Sequence, residues 1–184
     1  FYLDIIKDRL YTEKADSVAR RAAQTTMYYI LDALVKILTP MISFTAEEIW
    51  SAMKHTEKEN VESPMLADYP VANDEWDNKE IAEKWEKIIK VKNIVAKDLE
   101  LARAEKTIGN SLDAKVTLFA EGEEYKFLKE NEETIKLVLI VSGLEIQENN
   151  RKQEEKLGVK VEHATGEKCE RCWMYNDHLE DGLC

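Results

Sequence analysis

Residues 78–106, NKEIAEKWEKIIKVKNIVAKDLELARAEK, carry a sustained helical pattern within this chain of 184 residues. Apolar side chains recur there at steps of three, four and seven residues, which places them on one face of a helix. That face comprises Ile81, Trp85, Ile88, Val95, Leu99 and Ala102. A long amphipathic helix of this kind is typical of a helical bundle, and we expect it to run from Asn78 to Lys106.

Two further helices are predicted at the start of the chain. Apolar residues at helical spacing place the first over residues 2–14. A second helix follows Asp16 or Ser17, either of which can cap its first turn, and it ends at Pro40 because proline lacks a backbone N–H. One apolar stripe runs along this second helix. It comprises Ala23, Met27, Ile30, Leu34, Ile37 and Leu38.

The segment between these helices and the long one combines a third helix with a connection. Thr45 and Glu48 form a capping-box pattern, which predicts that a helix begins there. Residues 57–77 are polar and contain two prolines. We interpret this stretch as a long surface connection.

The pattern changes in the second half of the chain. Lys115–Phe119 and Val159–His163 alternate and contain β-branched residues, so both are predicted to be strands. Residues 123–132 predict a short polar helix. Leu137–Val141 is a nearly continuous apolar run, which we interpret as a buried strand, with a buried helical turn as the alternative. We expect a small α+β subdomain over residues 107–165.

Composition limits the class of protein. The chain has only 6 glycines and 3 prolines, which favours long helices over a turn-rich sandwich. No apolar run approaches the ~18 residues that a membrane-spanning helix needs, and no secretion signal is recognisable at the start. We therefore expect a cytoplasmic protein that is not bound to a membrane. Because the chain opens at Phe1 inside a helical pattern and closes at Cys184, we interpret both ends as cuts in a longer protein.

The formal net charge of −11 argues, on average, against a nucleic-acid partner. The charge is unevenly distributed, however: residues 57–83 hold nine acidic and two basic residues, whereas residues 84–115 hold eight basic and five acidic ones. Basic side chains on helix faces are candidate phosphate contacts, and a solvated helix face is the alternative interpretation. The candidates are Arg20, Arg21, Lys87 and Lys90.

All three cysteines lie in the last sixteen residues, at Cys169, Cys172 and Cys184. Two cysteines separated by two residues and followed by a further cysteine suit tetrahedral zinc coordination. The fourth ligand would lie beyond Cys184 or would be His163 or His178. A redox dithiol is the alternative, but it requires a βαβ context that the sequence does not predict.

Arg171 and Trp173 belong to the same short segment as the cysteine pair. Small zinc modules use an arginine and an aromatic residue to hold single-stranded RNA by phosphate pairing and stacking. Packing of Trp173 against the module itself is the alternative. We find no glycine-rich nucleotide loop and no recognised catalytic motif, so we expect a binding role.

The predicted fold class is mainly α. It combines a helical bundle over residues 1–106, a small α+β subdomain over residues 107–165, and a truncated zinc-binding module, an incomplete zinc knuckle, over residues 166–184.

The whole chain resembles the C-terminal part of bacterial isoleucyl-tRNA synthetases, which are class I enzymes. Four segments carry this resemblance: FYLDIIKDRLY at 1–11, LTP with FTAEEIW between 38 and 50, AR with KTIGNSLDA between 102 and 114, and CERCW at 169–173. The second segment is similar also to valyl and leucyl enzymes, and the third is typical of the isoleucyl type.

The resemblance implies an anticodon-binding domain whose partners are the anticodon stem-loop of the isoleucine tRNA and the rest of the synthetase chain, in a monomer. The intact enzyme would use ATP and Mg²⁺ to activate isoleucine and would transfer it to tRNA. In the family, the sequence motifs that bind ATP and carry out this reaction lie upstream of the segment matched here, so no catalytic residue is expected in this chain. Arg171 and Trp173 match family contacts to anticodon nucleotides. Cys169, Cys172 and Cys184 match zinc ligands, and the fourth family cysteine would lie just past Cys184.

Three alternative functions remain open from the sequence. The chain would be the same part of a valyl or leucyl enzyme, which carries out the same reaction with another amino acid. A zinc-tipped helical adaptor for another protein is favoured by the charge of −11. A thiol oxidoreductase would require a thiolate of low pKa at Cys169 or Cys172.

Overall fold

A computed structural model describes residues 1–56, 59–148 and 157–184. Within this part the chain forms seven α-helices and five short strands, which confirms the mainly α fold class. The helices are α1 (Tyr2–Ile5), α2 (Lys7–Tyr11), α3 (Val18–Leu38), α4 (Ser43–Ala52), α5 (Lys79–Ala104), α6 (Gly122–Glu130) and α7 (Glu132–Leu139). The strands are β1 (Ala114–Ala120), β2 (Gly143–Glu148), β3 (Gly158–His163), β4 (Glu167–Lys168) and β5 (Tyr175–Asn176).

Two compact units make up the chain. One consists of residues 9–78, and the other combines residues 1–8 with residues 79–184. The boundaries predicted after residues 106 and 165 divide the chain differently and stay predictions. Positions 57 and 58 of the predicted surface connection, and positions 149 to 156 of the predicted α+β subdomain, lie outside the described residues.

The unit of residues 9–78 is built on α3 and α4. Ser17 caps α3 by accepting a hydrogen bond from the backbone N–H of Arg20, as one of the two predicted caps. Val35 and Trp50 are buried against each other, and the Trp50 indole donates to the backbone oxygen of Val61 at 3.0 Å. The predicted apolar stripe of α3 is buried only in part: Ala23 is buried, whereas the contact of α3 with the core around Trp50 is made by Val35, which the stripe did not include. Ile30, Leu34 and Ile37 of that stripe are all nearly half exposed.

A buried ion pair lies beside this core. The Lys36 ammonium is 2.8 Å from the carboxylate of Asp32 and also pairs with Glu59. Burial by itself lowers the pKa of Lys36, but the hydrogen bonds to both carboxylates outweigh burial and raise the pKa above its usual value. Lys36 therefore stays charged inside the unit.

The other unit is organised around a three-stranded sheet in the order β2-β1-β3. The central strand β1 is parallel to β2 and antiparallel to β3, with Lys115 opposite Gly143 and Glu162. A parallel pair needs a crossover connection, and α6 and α7 supply it. Ala114, Val116 and Leu118 of β1 are fully buried, and α5 packs against β3 and α7.

The prediction of a strand over Leu137–Val141 is wrong, and the helical alternative is right. Its first three residues form the end of α7, in which Ile135, Val138 and Leu139 are buried at helical spacing. A short apolar run does not by itself distinguish a buried strand from a buried helix. The helix ends where Ile140 adopts the left-handed conformation with φ of 54°. The strand that pairs with β1 comes afterwards, at Gly143–Glu148.

Other helix boundaries differ in smaller ways. The predicted helix over residues 2–14 is divided into α1 and α2. Helix α4 begins at Ser43, ahead of the predicted capping box at Thr45 and Glu48, and no side chain caps it. The long helix α5 agrees with its prediction to within two residues at each end. No helix in the described ranges is long and apolar enough to cross a membrane.

A two-stranded ladder lies near the end of the described chain. Glu167 pairs with Asn176 and Lys168 with Tyr175 in antiparallel register, and the segment between β4 and β5 carries the cysteine pair. Gly166 precedes this ladder with φ of +89°, and a Cβ added there would lie 2.4 Å from the backbone oxygen of Asn176. Glycine is therefore required at this position by both backbone conformation and space.

We predict that Gly166→Ala opens the ladder. Clash with the Asn176 backbone should lower the free energy of local opening by roughly 1–3 kcal/mol, the usual range for overpacking, in addition to the left-handed strain. Amide hydrogen exchange at Cys169 and Trp173 measures this opening. Gly122→Ala is the matched control, because Gly122 also has positive φ (57°) but open space around a new Cβ. Equal acceleration of exchange at Trp173 in both variants would contradict the steric explanation.

Candidate metal centre and nucleic-acid interface

The structure brings the three cysteines together. The sulfur atoms of Cys169, Cys172 and Cys184 all lie within 4.8 Å of one another, and those of Cys172 and Cys184 are 3.4 Å apart. Zinc–sulfur bonds of about 2.3 Å in a tetrahedron require sulfur atoms roughly 3.8 Å apart. The donor set and its spacing therefore fit a thiophilic metal ion, and this cluster can hold one.

Backbone geometry prepares this cluster for metal binding. The backbone N–H groups of Cys172, Cys184 and Arg171 point at the sulfur of Cys169, and they lower the pKa of that thiol to about 6. Burial instead raises the pKa of the Cys172 thiol to about 12. Cysteine binds metal as thiolate, so metal binding at this cluster releases protons and becomes stronger as the pH rises.

Neither histidine considered as a fourth ligand joins the cluster in the described chain. His163 forms a hydrogen bond with the backbone oxygen of Ala164 at 2.8 Å and packs edge-on against Tyr175. His178 is exposed, and its backbone N–H donates to Asn176. The lowered pKa of Cys169 meets one requirement of a redox dithiol, but the cysteine pair lies between two antiparallel strands rather than in the βαβ unit of a thioredoxin-like site.

Trp173 and Arg171 are both exposed beside the sulfur atoms. Trp173 is 60% exposed, which is inconsistent with a ring that packs as the core of the module. Its backbone has φ of 65°, and its N–H donates to the oxygen of Cys169 at 2.9 Å, closing the turn of the cysteine pair. The turn that gathers the cysteines therefore also presents the indole to solvent.

Two buried side chains that the sequence analysis missed attach this module to the sheet. The Ser142 hydroxyl contacts the backbone oxygen of Leu112 at 2.5 Å and accepts from the backbone N–H of Tyr175 at 2.7 Å. Asp113 accepts from two backbone N–H groups of the turn after α5 and lies 3.7 Å from the Lys168 ammonium. The pattern Asn110-x-x-Asp113, a capping box, is the one sequence signal for this arrangement.

The four predicted phosphate contacts lie on two helices in different units. Arg20 and Arg21 occupy the first turn of α3, where the Arg20 guanidinium donates to the backbone oxygen of Glu13 at 2.9 Å and Arg21 is exposed. Lys87 and Lys90 are exposed on α5, and the Lys87 ammonium lies 5.4 Å from the ring centre of Phe127. The roles of these four residues stay predictions.

Comparison with known families decides the broader assignment. Residues 1–118 match the family model described as the anticodon-binding domain of tRNA ligase. The chain belongs to this family. The cysteine cluster lies beyond the matched segment of the anticodon-binding domain.

Relatives of the anticodon-binding domain resemble the chain along almost its entire length. An isoleucine–tRNA ligase of Caldanaerobacter subterraneus subsp. tengcongensis is 48% identical over 184 residues, or 96% of this chain. The isoleucine–tRNA ligase of Caldicellulosiruptor saccharolyticus is 51% identical over 95% of the chain, and that of Natranaerobius thermophilus is 40% identical over 97%. The resemblance to isoleucyl-tRNA synthetases is thereby confirmed. The chain spans about a fifth of the length of these curated relatives.

We predict that Cys169→Ala lowers zinc affinity at least about 100-fold, because even the loss of an outer partner of a metal ligand typically costs 10–100-fold. Competition with a chromophoric chelator measures this affinity, with Co²⁺ as a spectroscopic probe of thiolate ligation. His178→Ala is the control and should leave zinc affinity unchanged. An equal loss in the control, or undiminished affinity without Cys169, would refute the three-cysteine site.

Proposed function

We propose that this chain is the anticodon-recognition part of an isoleucine–tRNA ligase, and that it binds the anticodon stem-loop of the isoleucine tRNA. The observation that carries the proposal is its similarity, at 40% to 51% identity, to relatives with that name along nearly the whole chain. The intact enzyme would activate isoleucine with ATP and Mg²⁺ and esterify it to tRNA in the cytoplasm, as a monomer. This chain would contribute binding and no catalytic residue.

The proposed recognition divides into positioning and reading. Basic side chains at the start of α3 and along α5 would contact the phosphates of the stem, which places the RNA without distinguishing its sequence. They are Arg20, Arg21, Lys87 and Lys90. The unpaired anticodon bases would be read by an exposed aromatic ring and an exposed guanidinium two residues apart in the chain, at Trp173 and Arg171.

Zinc in this proposal is structural. Cys169, Cys172 and Cys184 would hold it, with a fourth ligand from outside the described cluster, and the ion would cross-link the turn that presents Trp173. The described chain brings Cys184 next to the pair through the hydrogen bond from the Glu170 N–H to the Gly182 oxygen, at 3.1 Å. The ion would thus fix the ring without taking part in chemistry.

We predict that the chain binds the isoleucine anticodon stem-loop in preference to the valine stem-loop. Phosphate contacts make the affinity fall as salt rises, so the measurement is fluorescence anisotropy at two salt concentrations with the valine stem-loop as competitor. Selective, salt-weakened binding is the expected result. Failure to bind either stem-loop at low salt in the presence of Zn²⁺ would contradict the proposal. Equal binding of both stem-loops would show that this chain does not distinguish the anticodon bases.

We further predict that Trp173→Ala weakens stem-loop binding by about 1–3 kcal/mol, the usual contribution of one stacked base. Trp76→Ala is the matched control, since Trp76 is 65% exposed but packs edge-on against Tyr29 in the unit of residues 9–78. Zinc content is measured in parallel for each variant. Undiminished binding by Trp173→Ala with zinc retained would exclude a stacking role for this ring.

A further inference from the structure

The ring of Trp173 is held from one side by a cation. The Lys168 ammonium lies 5.6 Å from the centre of the Trp173 ring and 5.9 Å from that of Tyr175. Both distances are within the range in which a cation is attracted to an aromatic face. Lys168 thus lies over two aromatic rings, of which Trp173 is the more exposed.

Lys168 is itself constrained on several sides. Its backbone is paired with Tyr175 in the β4–β5 ladder. Its ammonium is 3.7 Å from one oxygen of Asp113, whose other oxygen accepts from the N–H groups of Gly109 and Asn110. The Asp113 carboxylate is largely buried, so it cannot follow a mobile lysine. The cation is therefore placed over the indole by groups that belong to the sheet and to the turn after α5.

We propose that Lys168 is a positioning residue for RNA recognition: it fixes the Trp173 ring from one face and leaves the opposite face for an unpaired base. This inference rests on the proposed function, and it adds the residue that orients the stacking platform. The ammonium also blocks one side of the indole, so a single base rather than two would stack there. In this arrangement Lys168 acts on the RNA through Trp173 and not through a phosphate.

A double-mutant cycle tests this coupling. Lys168→Met keeps an unbranched apolar stem similar to that of lysine and removes the terminal ammonium. It should weaken binding of the isoleucine stem-loop about two- to fivefold, as expected from the strength of an exposed cation–π contact. In the Trp173→Ala background the same change should have almost no effect. Lys168→Arg should restore binding, because a guanidinium also stacks on aromatic faces. The charge-matched control is Lys160→Met, at an exposed lysine on β3 paired with Glu162.

Other outcomes would overturn the proposal. An equal loss in both backgrounds, with a shallower salt dependence, would make Lys168 a direct phosphate contact. No loss for Lys168→Met, when Trp173→Ala weakens binding, would remove Lys168 from recognition while leaving the proposed function intact. If the wild-type chain fails to bind RNA, the proposed function is wrong and the role of Lys168 in recognition is wrong with it.

The indole N–H resonance of Trp173 is measured independently in the free protein. It should shift in Lys168→Met and remain in place in Lys168→Arg, and an unchanged resonance in both would refute the positioning contact.

Discussion

The carboxylate of Asp113 joins three parts of the unit formed by residues 1–8 and 79–184. One carboxylate oxygen accepts hydrogen bonds from the backbone N–H groups of Gly109 and Asn110 in the turn after α5, and the other lies 3.7 Å from the Lys168 ammonium. The backbone oxygen of the same residue accepts from the N–H of Ala164 at 2.7 Å, just after β3. A carboxylate this buried is costly unless donors surround it. The long helix, the sheet and the cysteine module therefore have to assemble together around this side chain.

Ser142 also links the cysteine module to the sheet, through hydrogen bonds near the start of the central strand β1. Its backbone N–H donates to Ala114 at the start of β1, while its hydroxyl links Leu112 to Tyr175. The strand β5, which follows Trp173, is thus bound to the sheet through a side chain rather than through strand pairing. In the proposed function this rigid support would favour binding of single-stranded RNA, because ordering a loose platform would oppose binding.

The sequence allowed prediction of those features that depend on spacing along the chain. The period of α5 and the two-residue gap between Cys169 and Cys172 are local patterns, and both correspond to what the structure contains. The prediction for Leu137–Val141 is wrong because five apolar residues are too few to show whether the period is that of a helix or of a strand. The sequence does not predict that Lys168, Asp113 and Ser142 attach the cysteine module to the sheet, for a different reason. The contacts that join them to the cysteine module span 5 to 55 residues, from Lys168 to Trp173 at one extreme and from Asp113 to Lys168 at the other, and only folding forms them.

The left-handed backbone of Trp173 has a consequence for how this module would evolve. A residue with a Cβ at φ of 65° is strained by about 1–2 kcal/mol relative to glycine. Selection for stability alone would therefore favour glycine at position 173, and it would remove the indole at the same time. Tryptophan at this point of the turn therefore costs stability and supplies an exposed ring. Thermal-stability screens of this protein would consequently enrich glycine at position 173, and such variants would lose the indole that the proposed function requires.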